Sequence, residues 1–222
     1  MQTRKGIEEA LAFLRELKAN NDRAWFEANR PRYEAAREAF EGLVGELIAR
    51  FGTVDDLAGV SPRECVFRIN RDVRFSADKS PYKTAMGALL GPAGRKSGVR
   101  SYYLHLEPGG KSMLAGGLHS PTSAELGRIR NALASDTRLL KRLLAAPSFA
   151  GTFGGLSGES LKTAPQGYPK DHPEIELLRR KQYLAILPLS DAEVAAEGLV
   201  PRALEAFAAM KPFLLYLERS LA

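Results

Sequence analysis

Between residues 68 and 83 the chain reads Arg68-Ile69-Asn70-Arg71-Asp72-Val73-Arg74-Phe75-Ser76-Ala77-Asp78-Lys79-Ser80-Pro81-Tyr82-Lys83, which puts five basic groups, two carboxylates and a tyrosine within sixteen residues. Guanidinium forks grip carboxylate or phosphate oxygens in pairs, so three arginines this close together define either an anion site or an internal ion network. On a strand, Arg68, Asn70, Asp72 and Arg74 share one face and Ile69, Arg71 and Val73 the other. Arg68, Arg71, Arg74 and Lys79 are then the groups that hold an anion, with Asp72 and Asp78 orienting the arginines. The second reading stands beside it: Asp72 and Asp78 neutralise the arginines and the cluster ties fold elements together.

A second group of chemically able residues is Tyr103, His105 and Glu107, which share one face of a strand. Histidine and glutamate are common proton carriers, and a polar sheet face under water or a loop is the ordinary alternative. His105 and Tyr82 are the leading candidates for proton transfer, and Asp72 is a third. His105, His119 and His172 do not converge at metal-ligand spacing, so no metal and no other cofactor is expected. Gly91-x-x-Gly94-Arg95-Lys96-Ser97 has the outline of a phosphate-binding P-loop. Arg95 stands where that loop needs glycine, and the segment joins two strands. Gly155-Leu156-Ser157-Gly158 is one residue short of a nucleophile elbow.

Hydrophobic periodicity gives the helices and strands that carry these groups. Ile7, Ala10, Leu11, Leu14 and Leu17 recur at helical spacing. Asn20-Asn21-Asp22 stops that helix and caps the next. Pro31 divides the next stretch by pushing Arg30 out of the helical region. A long helix then carries Tyr33, Phe40, Leu43, Val44, Leu47, Ile48 and Phe51, and Gly52 ends it. In the middle of the chain the period changes to two. Cys65, Phe67 and Ile69 alternate with Val66, Arg68 and Asn70 as a strand, 84–90 is a second, and 101–107 with 112–119 forms a hairpin around Pro108-Gly109-Gly110-Lys111. Thr122-Ser123-Ala124-Glu125 is a capping box. Another helix begins at Ser135-Asp136, and residues 147–172 form a long Gly-, Ser- and Pro-rich loop or lid. After a short helix at 173–180 and a last strand at 182–187, Ser190-Asp191-Ala192-Glu193 caps a turn and a terminal helix bears Leu204, Phe207, Leu214 and Leu217. The expected fold is one α+β domain over residues 1–222: an antiparallel sheet of four to six strands packed by N-terminal, middle and C-terminal helices.

The 222 residues are 45% hydrophobic, enough for a substantial core, and carry a net charge of +6. That favours anionic partners generally, although 26 acidic residues among 32 basic ones make the bias mild. Residues 79–106 hold five Lys or Arg and no acid, a stretch able to track a phosphate backbone. No recognised nucleic-acid-binding motif accompanies it, so weak, non-specific binding is the most it implies. Cys65, the single cysteine, cannot form an internal disulfide and reads as a small buried hydrophobe. That fits a reducing compartment. With no signal peptide and no apolar run of membrane-spanning length, a cytoplasmic protein without membrane association is expected.

The pattern Arg68-x-x-Arg71-Asp72-x-Arg74-Phe75-x-x-Asp78-Lys79-x-Pro81-Tyr82 resembles the signature of the bacterial and fungal family called domain of unknown function 2461. The similarity extends over nearly the whole chain. It takes in Asn21, Trp25, Phe26 and Arg30, then Tyr103, His105 and Gly116-Gly117, and finally Leu161-Lys162, Pro165, Gly167-Tyr168 and Arg179. The resemblance implies a soluble α+β protein of similar size and carries no established activity. The expected function is binding of a small phosphate- or carboxylate-bearing ligand, with enzymatic action on it left open. A nucleic-acid-associated basic module is the alternative.

Overall fold

The computed structural model describes residues 2–57 and 59–222. About half of them are helical, and the sheet is antiparallel with four strands in the order β1-β2-β3-β4. The elements are α1 (Gln2–Ala19), α2 (Arg23–Ala28), α3 (Arg30–Phe51), α4 (Pro62–Cys65), β1 (Met86–Leu90), β2 (Tyr102–Leu106), β3 (Ser112–Leu118), α5 (Ser123–Ser135), α6 (Arg138–Ala145), α7 (Pro147–Phe153), α8 (Ile175–Leu178), β4 (Tyr183–Leu189), α9 (Asp191–Val194) and α10 (Leu199–Leu221). The α+β expectation holds. Among the described residues no helix is long and apolar enough to cross a membrane. The chain divides into two compact units. One comprises the residues up to Ser97 together with Tyr103–Leu114 and Pro188–Glu205, and the other comprises Gly98–Tyr102, Ala115–Leu187 and Ala206–Ala222.

In the first unit the apolar stripe Ile7, Ala10, Leu11, Leu14 and Leu17 of α1 is buried, as are Phe40, Leu43, Val44 and Leu47 of α3, and the two helices pack along each other. Asp22 caps α2, its carboxylate accepting the Trp25 N–H at 2.9 Å. The break before α3 falls at Asn29, which ends one helix and precedes the next, so Arg30 is helical rather than excluded. Proline is tolerated in the first turn because its missing N–H has no intrahelical partner there.

The strand expected from Cys65 is displaced. Pro62–Cys65 is a helical turn, begun by Pro62 and by the Glu64 carboxylate accepting the Ser61 N–H at 3.0 Å. That turn shifts the alternation, so Val66 and Ile69 are buried while Phe67, Arg68 and Asn70 face out. The chain from Val66 to Arg71 still runs antiparallel beside the segment leading into β1. Phe67 donates to the Gly87 carbonyl at 2.9 Å, Lys83 to Ile69 at 2.8 Å and Arg71 to Pro81 at 2.9 Å. The arginine motif is therefore a ragged edge of the sheet.

The β2–β3 hairpin turn is held by Asp191 at the start of α9. Its carboxylate accepts the N–H groups of Gly109 and Gly110, at 3.0 and 2.9 Å, and pairs with Arg15 at 3.3 Å. The two backbone N–H groups, then Arg15, hold this carboxyl below its ordinary range. A folded-state pKa below the unfolded one adds stability that is complete above about pH 4 and fades as pH falls through the lowered value. Asp191→Asn is therefore expected to lower the urea midpoint at pH 7, and the difference from wild type should shrink as pH falls through the acid range.

In the second unit Tyr102 packs on Phe207 and Phe149 on Phe213, and Leu214 and Leu217 are buried. The capping box at Thr122 forms as expected, with Glu125 accepting the Thr122 N–H at 2.7 Å. Residues 147–172 are not a free lid. Pro147–Phe153 is helical and Phe149 is buried. The chain beyond it is fastened by two adjacent arginines: Arg179 donates to the carbonyls of Leu161 and Lys162, and Arg180 to those of Leu156 and Ser157. Composition signalled a loop there, but the carbonyls that anchor it are invisible in composition.

Candidate functional site: a basic cavity at the sheet edge

The arginine motif is folded back on itself. Arg74 grips Asp72 through two hydrogen bonds of 2.9 and 2.6 Å. Arg71 pairs with Asp78 and also reaches the Ser80 carbonyl and the Ser76 hydroxyl, both at 3.3 Å. The Ser80 hydroxyl and N–H, together with Arg71, draw the Asp78 carboxyl down to about 2. Lys79 donates to the Val73 carbonyl at 3.0 Å. These contacts brace a loop whose tip, Phe75, is 96% exposed beneath the Arg74 guanidinium. Arg71, Arg74, Asp78 and Lys79 thus have partners of their own.

The Asp72–Arg74 pair lies at the surface, where ion pairs contribute little. Asp72→Ala is accordingly expected to leave the thermal midpoint close to wild type, as measured by circular dichroism.

Arg68 is different. Among the described residues its guanidinium has no carboxylate within pairing distance and no hydrogen-bond acceptor, although its charge is felt at Asp72. It lines a cavity of about 460 Å³ together with Arg37, Arg63 and Arg95. Asn70, Tyr33, Val66 and Phe67 complete the lining, and no carboxylate is part of it. Arg37 is held by Glu41 at 2.8 Å, and Arg63 reaches the same carboxylate at 3.7 Å. Arg95 donates to the Arg63 carbonyl at 2.7 Å and to that of Val66. Glu41 thus fixes Arg37 and two carbonyls fix Arg95, whereas Arg63 is largely exposed and Arg68 has no such partner among the described residues. Of the candidate anion-holding residues Arg68, Arg71, Arg74, Asp78 and Lys79, only Arg68 lines this cavity. Arg37, Arg63 and Arg95 come from α3, α4 and the loop after β1, and no local spacing connects them.

Tyr82 sits in the aromatic cluster of the first unit. Its ring is 6% exposed and stacks on Phe26 with centroids 3.9 Å apart. Asn21 clamps its backbone, donating to the Tyr82 carbonyl at 2.9 Å and accepting its N–H at 3.1 Å.

His105 belongs to a line of three side chains on the outward face of β2. The Tyr103 hydroxyl lies 2.9 Å from Nδ1, and Nε2 lies 3.0 Å from the Glu107 carboxylate. With Glu107 accepting from Nε2–H, Nδ1 is the acceptor for the phenol. Burial, then the Glu107 charge, pushes the Tyr103 phenol up, so it is held as a donor. His105 and Glu107 side chains are 17% and 20% exposed. The phenol lies across Gly87, where any Cβ would come within 2.7 Å of its oxygen. Phe67 meets Tyr103 nearly edge-on at 6.4 Å and carries the Lys83 ammonium 5.7 Å from its ring centre. Burial and the Arg68 charge lower the Lys83 pKa. Phe67 is thus shared between the cavity lining and the tyrosine–histidine line.

The family described as conserved hypothetical protein (DUF2461) matches residues 9–216. The chain belongs to this family. No curated protein and no solved structure matches it. For this DUF2461 chain, the cavity and the groups around it are the guide to function.

Proposed function

We propose that this DUF2461 protein binds a small phosphate- or carboxylate-bearing ligand in the basic cavity. One observation carries the reading: four arginines line a single cavity without an acidic residue among them, and Arg68 there has no internal partner among the described residues. Guanidinium groups bind such anions through paired charge-assisted hydrogen bonds. Two of the four, Arg37 and Arg95, already have their geometry set by Glu41 and by backbone carbonyls, which lowers the ordering cost of binding. The Tyr103–His105–Glu107 line supports an enzymatic extension. A proton accepted by the Tyr103 oxygen can be matched by passage of the phenolic proton to His105 Nδ1, with Glu107 holding the imidazolium.

The alternative, a nucleic-acid-associated module using residues 79–100, is less well supported. Arg95, although exposed, already donates to the carbonyls of Arg63 and Val66 in the cavity wall. Such a module would lose affinity steeply with salt.

Thermal melts with phosphate, pyrophosphate and citrate at millimolar concentration test the proposal. Ligand binding to the folded state raises the midpoint. A rise for wild type that is absent in Arg68→Ala is expected. No rise with any of the three anions in wild type would overturn the reading.

A further inference from the structure

We infer that the ligand of the basic cavity is a nucleotide, its phosphates held by the arginines and its base recognised by Phe67 and Asn70. The inference rests on the anion reading and specifies the molecule that carries the anion. A bare anion would use only part of the lining. Beside the arginines stand Phe67, 38% exposed, and Asn70, whose carboxamide makes no hydrogen bond among the described residues. A carboxamide offers one acceptor and two donors, the pattern that pairs with the edge of a base such as adenine. A partly open aromatic ring offers a surface on which any base can stack.

The size agrees. A cavity of about 460 Å³ lies in the range of small-molecule sites, roughly 300–1,000 Å³, and a lone phosphate would leave most of it empty. Charge points the same way. Four guanidiniums offset by Glu41 leave about three positive charges, more than the charge of roughly −1.5 to −2 on a single phosphate monoester near neutral pH. A nucleoside diphosphate matches that excess more closely than a monophosphate. Among the described residues the free polar groups of the lining, Arg68 and Asn70, are two positions apart in sequence and flank the buried Ile69, so both project from one short extended segment. One ligand can therefore touch a cation and an amide together.

Titration calorimetry of the full chain with pyrophosphate, ribose 5-phosphate, ADP and UDP tests this. The expected result is that at least one nucleoside diphosphate binds about tenfold or more tighter than pyrophosphate, the scale on which base stacking contributes. Phe67→Leu, which keeps apolar bulk but removes the π face, and Asn70→Ala should each weaken nucleotide binding by a larger factor than pyrophosphate binding. If pyrophosphate binds as tightly as both nucleotides, or if neither variant changes nucleotide affinity, the inference is overturned and the anion reading stands. If neither pyrophosphate nor any nucleotide binds, both fall together.

Discussion

Gly117→Ala is expected to destabilise the protein by about 3 kcal/mol or more, enough to abolish cooperative folding in a marginal domain. Gly117 lies in β3 with φ of +120°, in a region that side-chain-bearing residues rarely adopt. A Cβ there would stand 2.1 Å from the Tyr183 carbonyl oxygen and 3.2 Å from its carbon. Both are backbone atoms of β4, so relief requires one strand to move relative to the other, and the clash adds to the dihedral strain. Gly127→Ala in α5 is the matched control. Nothing lies within 4 Å of its added Cβ, and alanine is the better helix former by about 1 kcal/mol. Urea melts of the two variants should move in opposite directions. Equal midpoints would show that the β3–β4 approach is looser than described.

The second large effect is expected at Tyr82. Tyr82→Ala removes a ring stacked on Phe26 at 3.9 Å from a cluster that includes Phe13 and Tyr33, and large-to-small changes of buried aromatics cost about 3–5 kcal/mol. It also loosens the point where Asn21 clamps the arginine motif to the turn between α1 and α2. Tyr82→Phe keeps the ring and should melt close to wild type. Denaturant melts of the pair separate an anchoring ring from a working hydroxyl. Equal loss in both variants would mean that the hydroxyl, and not the stack, carries the stabilisation.

The α1 and α3 stripes, the hairpin and the Thr122 cap were legible in the sequence because each depends on neighbours a few positions away. The turn at Pro62–Cys65 was not. Its capping residues, Ser61 and Glu64, adjoin Cys65 and Val66, whose alternation with residues 67–70 favoured a strand. Within the motif, sequence distance makes Asp72 the natural partner of both Arg71 and Arg74. The chain turns at Arg74–Phe75, so Arg71 meets Asp78 and only Arg74 keeps Asp72. Arg68 could be picked out as an anion-binding group from the motif alone. Arg37 and Arg63 could not, because nothing short of the packed helices brings them to it. The Tyr103–His105–Glu107 alignment was visible as a shared strand face. What the sequence could not supply was the 2.9 and 3.0 Å contacts that join the three groups.

The most direct measurement of the central claim is calorimetric titration of pyrophosphate into wild type and Arg68→Ala at low salt. Arg68 is exposed and has no internal partner among the described residues, so its loss should leave the ligand-free melting temperature unchanged. Hydrogen bonds to charged groups contribute about 1.5–3 kcal/mol, which corresponds to a roughly ten- to hundredfold weaker dissociation constant in the variant. Saturable binding to wild type with a loss of that size in Arg68→Ala is the predicted result. Wild-type protein that takes up no pyrophosphate, or a variant that binds it as tightly as wild type, would contradict the account.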